Sequence, residues 1–369
     1  MRKRSLWLLP AFMSSIVLLS GCFEGEQSLE EMDPPQNVQT VDDLDNTGED
    51  TNNVEEATTE ETKETENDKE SSEGTSETVN RELYLLDPNG MVVSQTLPLP
   101  MDETKEVAKQ TLEYLVKDGP VSNILPNGFQ AVLPAGTNIN GLNLQEDGSL
   151  VVDLSKEFKD YQPENEQKVI QAMTFTLTQF DSVERIKLRI DGVDQDVMPV
   201  NGTPIGNGFS RADGINLHVG DVNDLMNSQA VTVYYPAQQS EHYYYVPVTT
   251  PIDASEDIYE SVINKVVEGP SYELSGLLDV FRNGVQLTEE PKIEDGILSI
   301  TFNESIFNDV ENKTISDTVL NSIVLSLTEH EDVKSVQVQV EGTEQVFNEN
   351  GEVFSEPVTR EDISQPSGI

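Results

Sequence analysis

The sequence predicts an α+β protein made of two tandem copies of a small domain, each with a mixed β-sheet covered by two helices. Strand-like and helix-like patterns alternate twice along the chain, and each apolar stripe recurs about 150 residues later. An Asp-Gly turn precedes a strand in both copies. A length of 369 residues allows two or three ordinary domains. We therefore expect a first domain at 81–201 and a second at 230–347.

The chain begins with a pattern typical of a secretory signal, predicted to span residues 1–21. Three basic residues (Arg2, Lys3 and Arg4) precede an apolar run from Leu6 to Leu19. This run is shorter than the roughly 20 residues that a membrane-spanning helix needs. It ends in Leu19-Ser20-Gly21-Cys22, which resembles the lipobox cut by signal peptidase II in bacterial lipoproteins. We expect Cys22 to carry diacylglycerol and to anchor the chain outside the cytoplasm; the alternative is an ordinary signal peptide with an incidental cysteine.

Residues 22–80 form the predicted tether between the lipid and the first domain. About 20 acidic residues stand against Lys63 and Lys69, with almost no aromatic side chains. Such a composition buries too little apolar surface to offset the entropy of ordering, so the segment is predicted to be disordered. As a flexible chain it would reach roughly 45 Å. A binding segment is the alternative to a spacer.

Charge and cysteine content exclude several classes of function. The formal net charge of −46 argues against nucleic-acid binding and against electrostatic adhesion to anionic lipids. Cys22 is the single cysteine of the chain, so a disulfide, a Cys-x-x-Cys zinc site or a catalytic thiol is excluded within one mature chain. An exported protein without disulfides is typical of many Gram-positive bacteria. The expected membrane contact is therefore the lipid on Cys22.

Two helices are predicted in each domain from apolar residues at helical spacing. The first of each pair spans 103–117 or 257–267, and each stops at a Gly-Pro pair, Gly119-Pro120 or Gly269-Pro270. Glycine suits a helix end and proline prevents continuation, so these four residues are read as structural. The second helices carry their apolar stripes at Ile170, Met173 and Leu177, and at Leu320, Ile323 and Leu327.

Strands are predicted from period-two patterns and from Asp-Gly turns. Asp147-Gly148 precedes a strand at 149–154, and Asp295-Gly296 precedes its counterpart at 297–302. Apolar residues alternate with polar ones at 185–190 and at 335–340, which indicates half-buried strands. Earlier strand-like runs open each domain, at 83–86 and 91–97, and at 231–235 and 243–248. Residues 202–229 are predicted to be a linker, and residues 348–369 a loose tail.

Five short runs of the first repeat form a recognisable pattern: Leu133-Pro134-Ala135-Gly136-Thr137, Asp147-Gly148, Val152-Asp153-Leu154-Ser155, Thr176-Leu177-Thr178-Gln179-Phe180 and Asp191-Gly192. This pattern resembles the GerMN domain family of bacterial sporulation and germination lipoproteins. The second repeat departs from this pattern at 300–303, has Glu329-His330 in place of Gln179-Phe180, and lacks the Leu-Pro-x-Gly-Thr run. A surface activity of those loops would then belong to one repeat.

The resemblance implies a structural role rather than an enzymatic one. Proteins of this type are regarded as mother-cell lipoproteins that face the space between mother cell and forespore. They help to assemble the channel that joins the two cells, and their fold is similar to ring-building modules of secretion systems. Extracytoplasmic channel proteins are therefore the partners that the resemblance implies.

The residues themselves offer little for catalysis or for a cofactor, and none is predicted. His218, His242 and His330 lie in no recognisable catalytic motif. His330 is read as a residue that is favourable near a helix C-terminus. Residues 191–196 have oxygen ligands that would suit calcium, but they lack EF-hand spacing and are read as a turn. Tyr243, Tyr244 and Tyr245 are read as a strand in a core, with a sticky exposed face as the alternative.

Two classes of function remain open, an interaction module and an envelope enzyme acting on peptidoglycan. The enzyme requires two carboxyl groups in a cleft, one with a raised pKa and one ionised. The sequence assembles no nucleophile, base and oxyanion donor, which favours the interaction module. Direct glycan binding is a third, weaker hypothesis. Residues from 81 onward have a net charge of −31, so a partner surface rich in Lys and Arg is expected.

Overall fold

The computed structural model describes residues 78–101, 106–220 and 225–363. The predicted signal peptide, the lipobox with Cys22 and nearly all of the predicted tether lie outside these residues. The prediction of two tandem α+β domains with mixed sheets is confirmed. No helix in the described ranges is both long enough and apolar enough to cross a membrane.

Each domain contains a long β-hairpin, two α-helices and a four-stranded mixed sheet. The elements of the first domain are β1 (Thr78–Leu86), β2 (Val92–Pro100), α1 (Val107–Glu113), β3 (Ile139–Leu144), β4 (Ser149–Leu154), α2 (Glu166–Leu177), β5 (Arg185–Ile190) and β6 (Val193–Asp194). Those of the second are β7 (Ser228–Gln239), β8 (His242–Asp253), α3 (Ile258–Glu268), β9 (Lys292–Glu294), β10 (Ile297–Phe302), α4 (Asp317–Leu327), β11 (Ser335–Val340) and β12 (Val358–Thr359).

The hairpins and the first three strands of each sheet pair in the same way in both domains, whereas β6 pairs with the end of β5 and β12 with the start of β11. β1 pairs with β2, and β7 with β8, as antiparallel hairpins. The sheets have the orders β3-β4-β5-β6 and β9-β10-β11-β12. In each sheet the two central strands are parallel, β4 with β5 and β10 with β11, because the second helix of the domain connects them. The repeat seen in the sequence is therefore a repeat of topology.

The second helix of each domain lies in the core. Every residue from Val169 to Leu177 of α2 is buried, as is every residue from Ser322 to Leu327 of α4. A helix that is buried all round must be covered on both sides. α2 packs against β1 and β2 on one side and against β5 on the other, while α4 packs against β7 and β11. Each domain thus has a hairpin, a central helix and a sheet in succession.

The edge of each hairpin is tied to this central helix by one hydrogen bond. The backbone N–H of Tyr84 donates to the Thr176 hydroxyl (3.0 Å), and that of Tyr234 donates to the Ser326 hydroxyl (2.8 Å). The two bonds are equivalent, since each pair is separated by 92 residues. An edge strand leaves backbone donors unpaired, and the hydroxyl satisfies one of them in the core.

The segments predicted to be a linker and a loose tail are packed on their domains instead. In the first, Ile205 and Ile215 are buried, and Phe209 forms a β-bridge with Ile186 of β5. In the second, β12 pairs with β11 and Ile363 is buried. β1 also begins at Thr78, three residues inside the predicted tether. Apolar side chains spaced among the Gly and Pro residues supply this packing, which the loop-like composition conceals.

Candidate functional site: the junction between the two domains

A cluster of charged and aromatic side chains joins the two domains. Glu329 follows α4, Arg211 lies in the segment after β6, and Arg360 follows β12. Arg211 Nη1 lies 3.0 Å from Glu329 Oε1, and Arg360 Nη2 lies 2.8 Å from Glu329 Oε2. The Tyr234 hydroxyl donates to Glu329 Oε2 at 2.8 Å. One carboxylate therefore binds an arginine from each domain.

The two arginines occupy equivalent places in the two repeats. Arg211 stacks 4.7 Å from the ring centre of Phe175, and Arg360 stacks 4.9 Å from that of Tyr234. Each also donates to a carbonyl near the end of its own central helix, Arg211 to Phe175 O at 3.4 Å and Arg360 to Leu325 O at 2.8 Å. Carbonyls at a helix C-terminus lack partners and favour cations. The arginines thus cap α2 and α4 in the same manner.

The same short motif places both arginines. Ser210 and Asp213 flank Arg211, and the Asp213 carboxylate accepts from the Ser210 N–H (2.7 Å). Thr359 and Asp362 flank Arg360, and the Asp362 carboxylate accepts from the Thr359 N–H (2.8 Å). This Ser/Thr-Arg-x-Asp motif recurs at an offset of 149 residues. It fixes the backbone on both sides of each guanidinium.

The cluster is arranged to keep Glu329 ionised. Burial alone would raise the pKa of this carboxyl group, but the charges of Arg360 and Arg211 and the Tyr234 hydroxyl outweigh it. The net effect is a pKa of Glu329 below its ordinary value. Burial likewise raises the pKa values of Tyr84 and Tyr234 well above the usual range, so both hydroxyls stay protonated. The cluster is a fixed ion network at neutral pH.

The first repeat has no carboxylate at the corresponding position. Gln179 stands there, and its amide donates to the Glu82 carbonyl at 2.8 Å. Arg211 therefore reaches across to the second domain for its counter-ion. The divergence between Gln179 and Glu329 makes the contact asymmetric, with one carboxylate serving both repeats.

A second contact across the junction is made by Asn216. Its side-chain amide donates to the carbonyls of Val92 in β2 (2.7 Å) and Pro247 in β8 (2.8 Å), and its Oδ1 accepts from Val92 N–H (2.9 Å). The amide thus pairs with a strand backbone as another strand would. Asn216 adopts φ of 47°, a conformation that asparagine tolerates better than most residues. Through Asn216 the two hairpins are bonded to each other.

A third contact involves the tyrosine run of β8. The Tyr244 hydroxyl donates to Asp87 Oδ2 at 2.9 Å, and its ring packs edge-on against Phe129 at 5.2 Å. Tyr245 is buried on the opposite face, where its hydroxyl accepts from the Asn321 amide (3.0 Å). Tyr243 is 41% exposed. The run is a core strand at its second and third positions, one contacting the first domain and the other α4.

The repeat motifs that the sequence singled out lie at turns away from this junction. Asp147-Gly148 turns β3 into β4, and Asp295-Gly296 turns β9 into β10. The carbonyls of Gly148 and Gly296 each accept a backbone N–H from the start of the next parallel strand. Gly269 ends α3 with φ of 80° and is followed by Pro270.

The interpretation of Gly119-Pro120 as the end of a helix is wrong. α1 ends at Glu113, and Gly119-Pro120 instead opens a 3₁₀ turn at Pro120–Asn123. Asp118 adopts the positive φ here, at 57°. A Cβ on Gly119 would lie 2.9 Å from the Val116 carbonyl, so a close backbone approach explains this glycine. Residues 103–105 of the predicted helix, like Leu19, Ser20, Gly21 and Cys22, lie outside the described residues.

The geometry offers little to the enzyme hypothesis. An open groove of about 810 Å³ on the second domain is lined by Asp309, Glu311 and Glu349. Hydrogen bonds from Asn312 lower the pKa of Asp309, which is opposite to what a general acid needs. The pKa is lowered for each carboxyl group in the described part of the chain whose pKa is displaced: Asp147, Glu157, Glu166, Asp253, Asp309 and Glu329.

His330 is half-buried, and the turn predicted at 191–196 takes part in an ion pair. Burial lowers the pKa of His330, and its Nε2 has no hydrogen-bond partner within the described ranges. The imidazole is therefore neutral at pH 7 and gives the end of α4 no positive charge. Asp194 binds Arg189 at 2.7 Å. The described residues contain no group of His, Cys, Asp and Glu arranged to hold a metal ion.

The fold and the junction define the class: a protein of two duplicated α+β domains joined through a shared ion cluster. The sequence model of the Germane family, described as "Sporulation and spore germination", matches residues 82–196 and 232–346. The chain belongs to this family. It is 50% identical over 353 residues to the spore germination protein GerM of Bacillus subtilis (strain 168), covering 94% of each chain.

A solved structure shows the same tandem arrangement. The tandem GerMN domains of the sporulation protein GerM from Bacillus subtilis are 53% identical to this chain and superimpose with a TM-score of 0.73. The match covers 79% of this chain and all of that one. The expected resemblance to GerMN domains is confirmed.

Proposed function

We propose that this protein is a non-enzymatic lipoprotein of sporulation that acts as an assembly factor for an extracytoplasmic channel complex between mother cell and forespore. Its action on the spore would also affect germination. The description of its family and the name of its Bacillus subtilis relative support a role in sporulation and germination. The lipobox supports the lipid on Cys22. The family resemblance supports the location in the mother-cell membrane facing the forespore, and it supports the channel proteins as partners.

The observation that carries the proposal is the shared ion cluster. Glu329 binds Arg211 and Arg360 through its two oxygens, so this ion cluster holds the two domains together. Two domains held together in this way present one continuous surface for a partner to bind. An enzyme would instead use buried charges in a cleft, with their pKa values pushed apart.

The experiment is to follow assembly of the channel complex in sporulating cells with the wild-type protein, without it, and with Cys22→Ser. We expect assembly to fail without the protein and to weaken with Cys22→Ser, because a lipid anchor confines the domains to the membrane. Cross-linking followed by identification of the captured proteins would name the partner. Unchanged assembly in the absence of the protein would contradict the proposal.

The peptidoglycan-enzyme alternative is tested separately. Purified protein is incubated with peptidoglycan, and the release of soluble fragments is measured against buffer. We expect no release above buffer. Each displaced carboxyl pKa in the described part of the chain is lowered, which favours the ionised form over the protonated form that a general acid needs. Release that disappears on replacing Asp309 in the acidic groove would favour the enzyme.

Electrostatics give a further test of the partner's chemistry. The folded part has a net charge of −31, so a partner with an excess of Lys and Arg would be steered towards it. Once the partner is identified, the rate of association should fall as ionic strength rises. A rate independent of salt would remove electrostatic steering from the proposal.

A further inference from the structure

A row of cations lies on the outer face of the first domain's sheet. Along β5, Ile186, Leu188 and Ile190 are buried, while Arg185, Lys187 and Arg189 alternate with them and lie on the other face. The two arginine side chains are about one-third exposed, at 35% and 36%. Among the described strands, this is the one with three cations on alternate positions.

The fold does not require this row. β11 is the equivalent strand of the second domain and has the same parallel pairing with its neighbour. Its corresponding residues are Ser335, Gln337 and Gln339, all uncharged. Three cations concentrated on one face of a chain with a formal net charge of −46 therefore need another explanation.

The acidic groups around the row neutralise its positive charge only weakly. Arg185 pairs with Glu184, and Arg189 with Asp194, but these carboxylates are 64% and 77% exposed. Ion pairs at such exposure contribute little and exchange easily with other partners. Asp153 lies opposite Arg189, whereas Lys187 lies opposite the apolar Val151. Asp147 is the other carboxylate near the row, and it already accepts the Ser149 N–H.

We propose that the acidic segment before β1, residues 49–77, docks on the row formed by Arg185, Lys187 and Arg189. This segment contains 12 acidic residues against Lys63 and Lys69, and it joins the first domain directly at Thr78. A partner attached by a few tens of residues is present at a local concentration of the order of millimolar. A weak multivalent ion contact in cis is therefore favoured over the same contact with a separate chain.

The rest of the surface directs the segment to this place. The folded part as a whole is strongly negative, so a polyanionic segment is repelled from most of it. Docking would shorten the distance between the lipid-bearing end and the first domain at low ionic strength. Salt would release the segment, because exposed charge pairs are screened beyond about 10 Å at 0.1 M.

Fluorescence energy transfer tests the proposal on the chain from residue 22 to 369. The donor and acceptor dyes are attached to cysteines that replace Thr59 in the acidic segment and Asn143 on β3. Cys22 is replaced by serine so that it takes no dye. Asn143 is exposed and pairs with Val151, so it lies on the same outer face as the row. We expect energy transfer to be high at low salt and to fall as salt is added. The triple variant Arg185→Ser, Lys187→Gln, Arg189→Gln should lose this salt-dependent fall.

This variant gives β5 the residues of the equivalent strand β11 of the second domain, so the first domain should still fold. Its melting curve, followed by circular dichroism, checks this. The matched control replaces Lys109, Lys117 and Lys159 with glutamine, which removes the same charge elsewhere on the first domain. It should retain the salt-dependent transfer. Transfer that is unaffected by salt, or that falls equally in the control, would overturn the proposal.

Discussion

Arg211 and Arg360 occupy the same position in two copies of one motif, and both bind the single carboxylate of Glu329. Their nitrogens lie 3.0 Å and 2.8 Å from its two oxygens. Because Gln179 replaces the carboxylate in the first repeat, Glu329 has no duplicate that could take over its role. The ion-pair contribution to the junction therefore depends on one side chain.

The variant Glu329→Gln should destabilise the protein by about 2–4 kcal/mol, because it leaves two guanidinium groups without a counter-ion. The value lies below that of a fully buried pair, since each arginine side chain is about one-third exposed. Chemical denaturation measures the free energy of unfolding. Glu331→Gln is the control. Glu331 is exposed, and its replacement removes the same charge two residues away. Equal stability of the two variants would show that the junction does not depend on the ion cluster.

The contribution of Glu329 should depend on pH in a defined direction. Its pKa is lowered in the folded protein from an ordinary value of 4.5, so its contribution is complete above that value and is lost as the pH falls through the folded pKa. The difference in unfolding free energy between wild type and Glu329→Gln should be constant above about pH 5.5 and should shrink below about pH 4.5. A difference that grows towards acid pH would contradict the assignment.

The variant Asn216→Asp tests the bond between the two hairpins. A carboxylate keeps the acceptor for Val92 N–H but removes the donors to the carbonyls of Val92 and Pro247, so we expect a loss of about 2–3 kcal/mol. Asn140→Asp is the matched control, since Asn140 is exposed on β3. Limited proteolysis should cut the segment near residue 216 faster in Asn216→Asp alone. Equal cutting in both variants would mean that the bridge does not hold this segment.

The variant Thr176→Val should cost about 1–3 kcal/mol, because it leaves the buried Tyr84 N–H without an acceptor. Thr174→Val, on the same helix, is the control. The Thr174 hydroxyl is buried without a hydrogen-bond partner within the described ranges, so its removal should leave stability unchanged or slightly increased. Thermal unfolding of both variants measures the difference. A larger loss for Thr174→Val would refute the role given to the Thr176 hydroxyl.

The variant Cys22→Ser should leave folding unchanged and abolish retention in the membrane, because serine offers no sulfur for the lipid. Fractionation of cells followed by detection of the protein measures this. Ser28→Ala, inside the predicted tether, should remain in the membrane fraction. Membrane retention of the Cys22→Ser protein would refute the lipobox interpretation.

The periodic parts of the fold were readable from the sequence. The strands predicted at 149–154, 185–190, 297–302 and 335–340 have those bounds in the structure. These elements each bury a regular stripe, so local pattern and tertiary packing agree. α1 is shorter than predicted, because its pattern of apolar residues continues into Leu115 and Val116, which pack in the core without helical geometry.

The junction was not readable in this way. Arg211, Asn216 and Arg360 lie in segments rich in Gly, Asn and Pro, and their contacts join side chains far apart in sequence. One signal was available: the Ser/Thr-Arg-x-Asp motif recurs at an offset of 149, close to that of the apolar stripes. It shows that the duplication extends beyond the sheets, into the segments predicted as linker and tail. Which residues would meet across the domains depends on packing that periodicity does not encode.

The position of Glu329 also makes the first domain depend on the second. Arg211 binds a carboxylate that lies 118 residues further along the chain. The first domain by itself would keep Arg211 at the end of α2 but would lack this counter-ion. The ion pair forms only when both domains are folded and in contact.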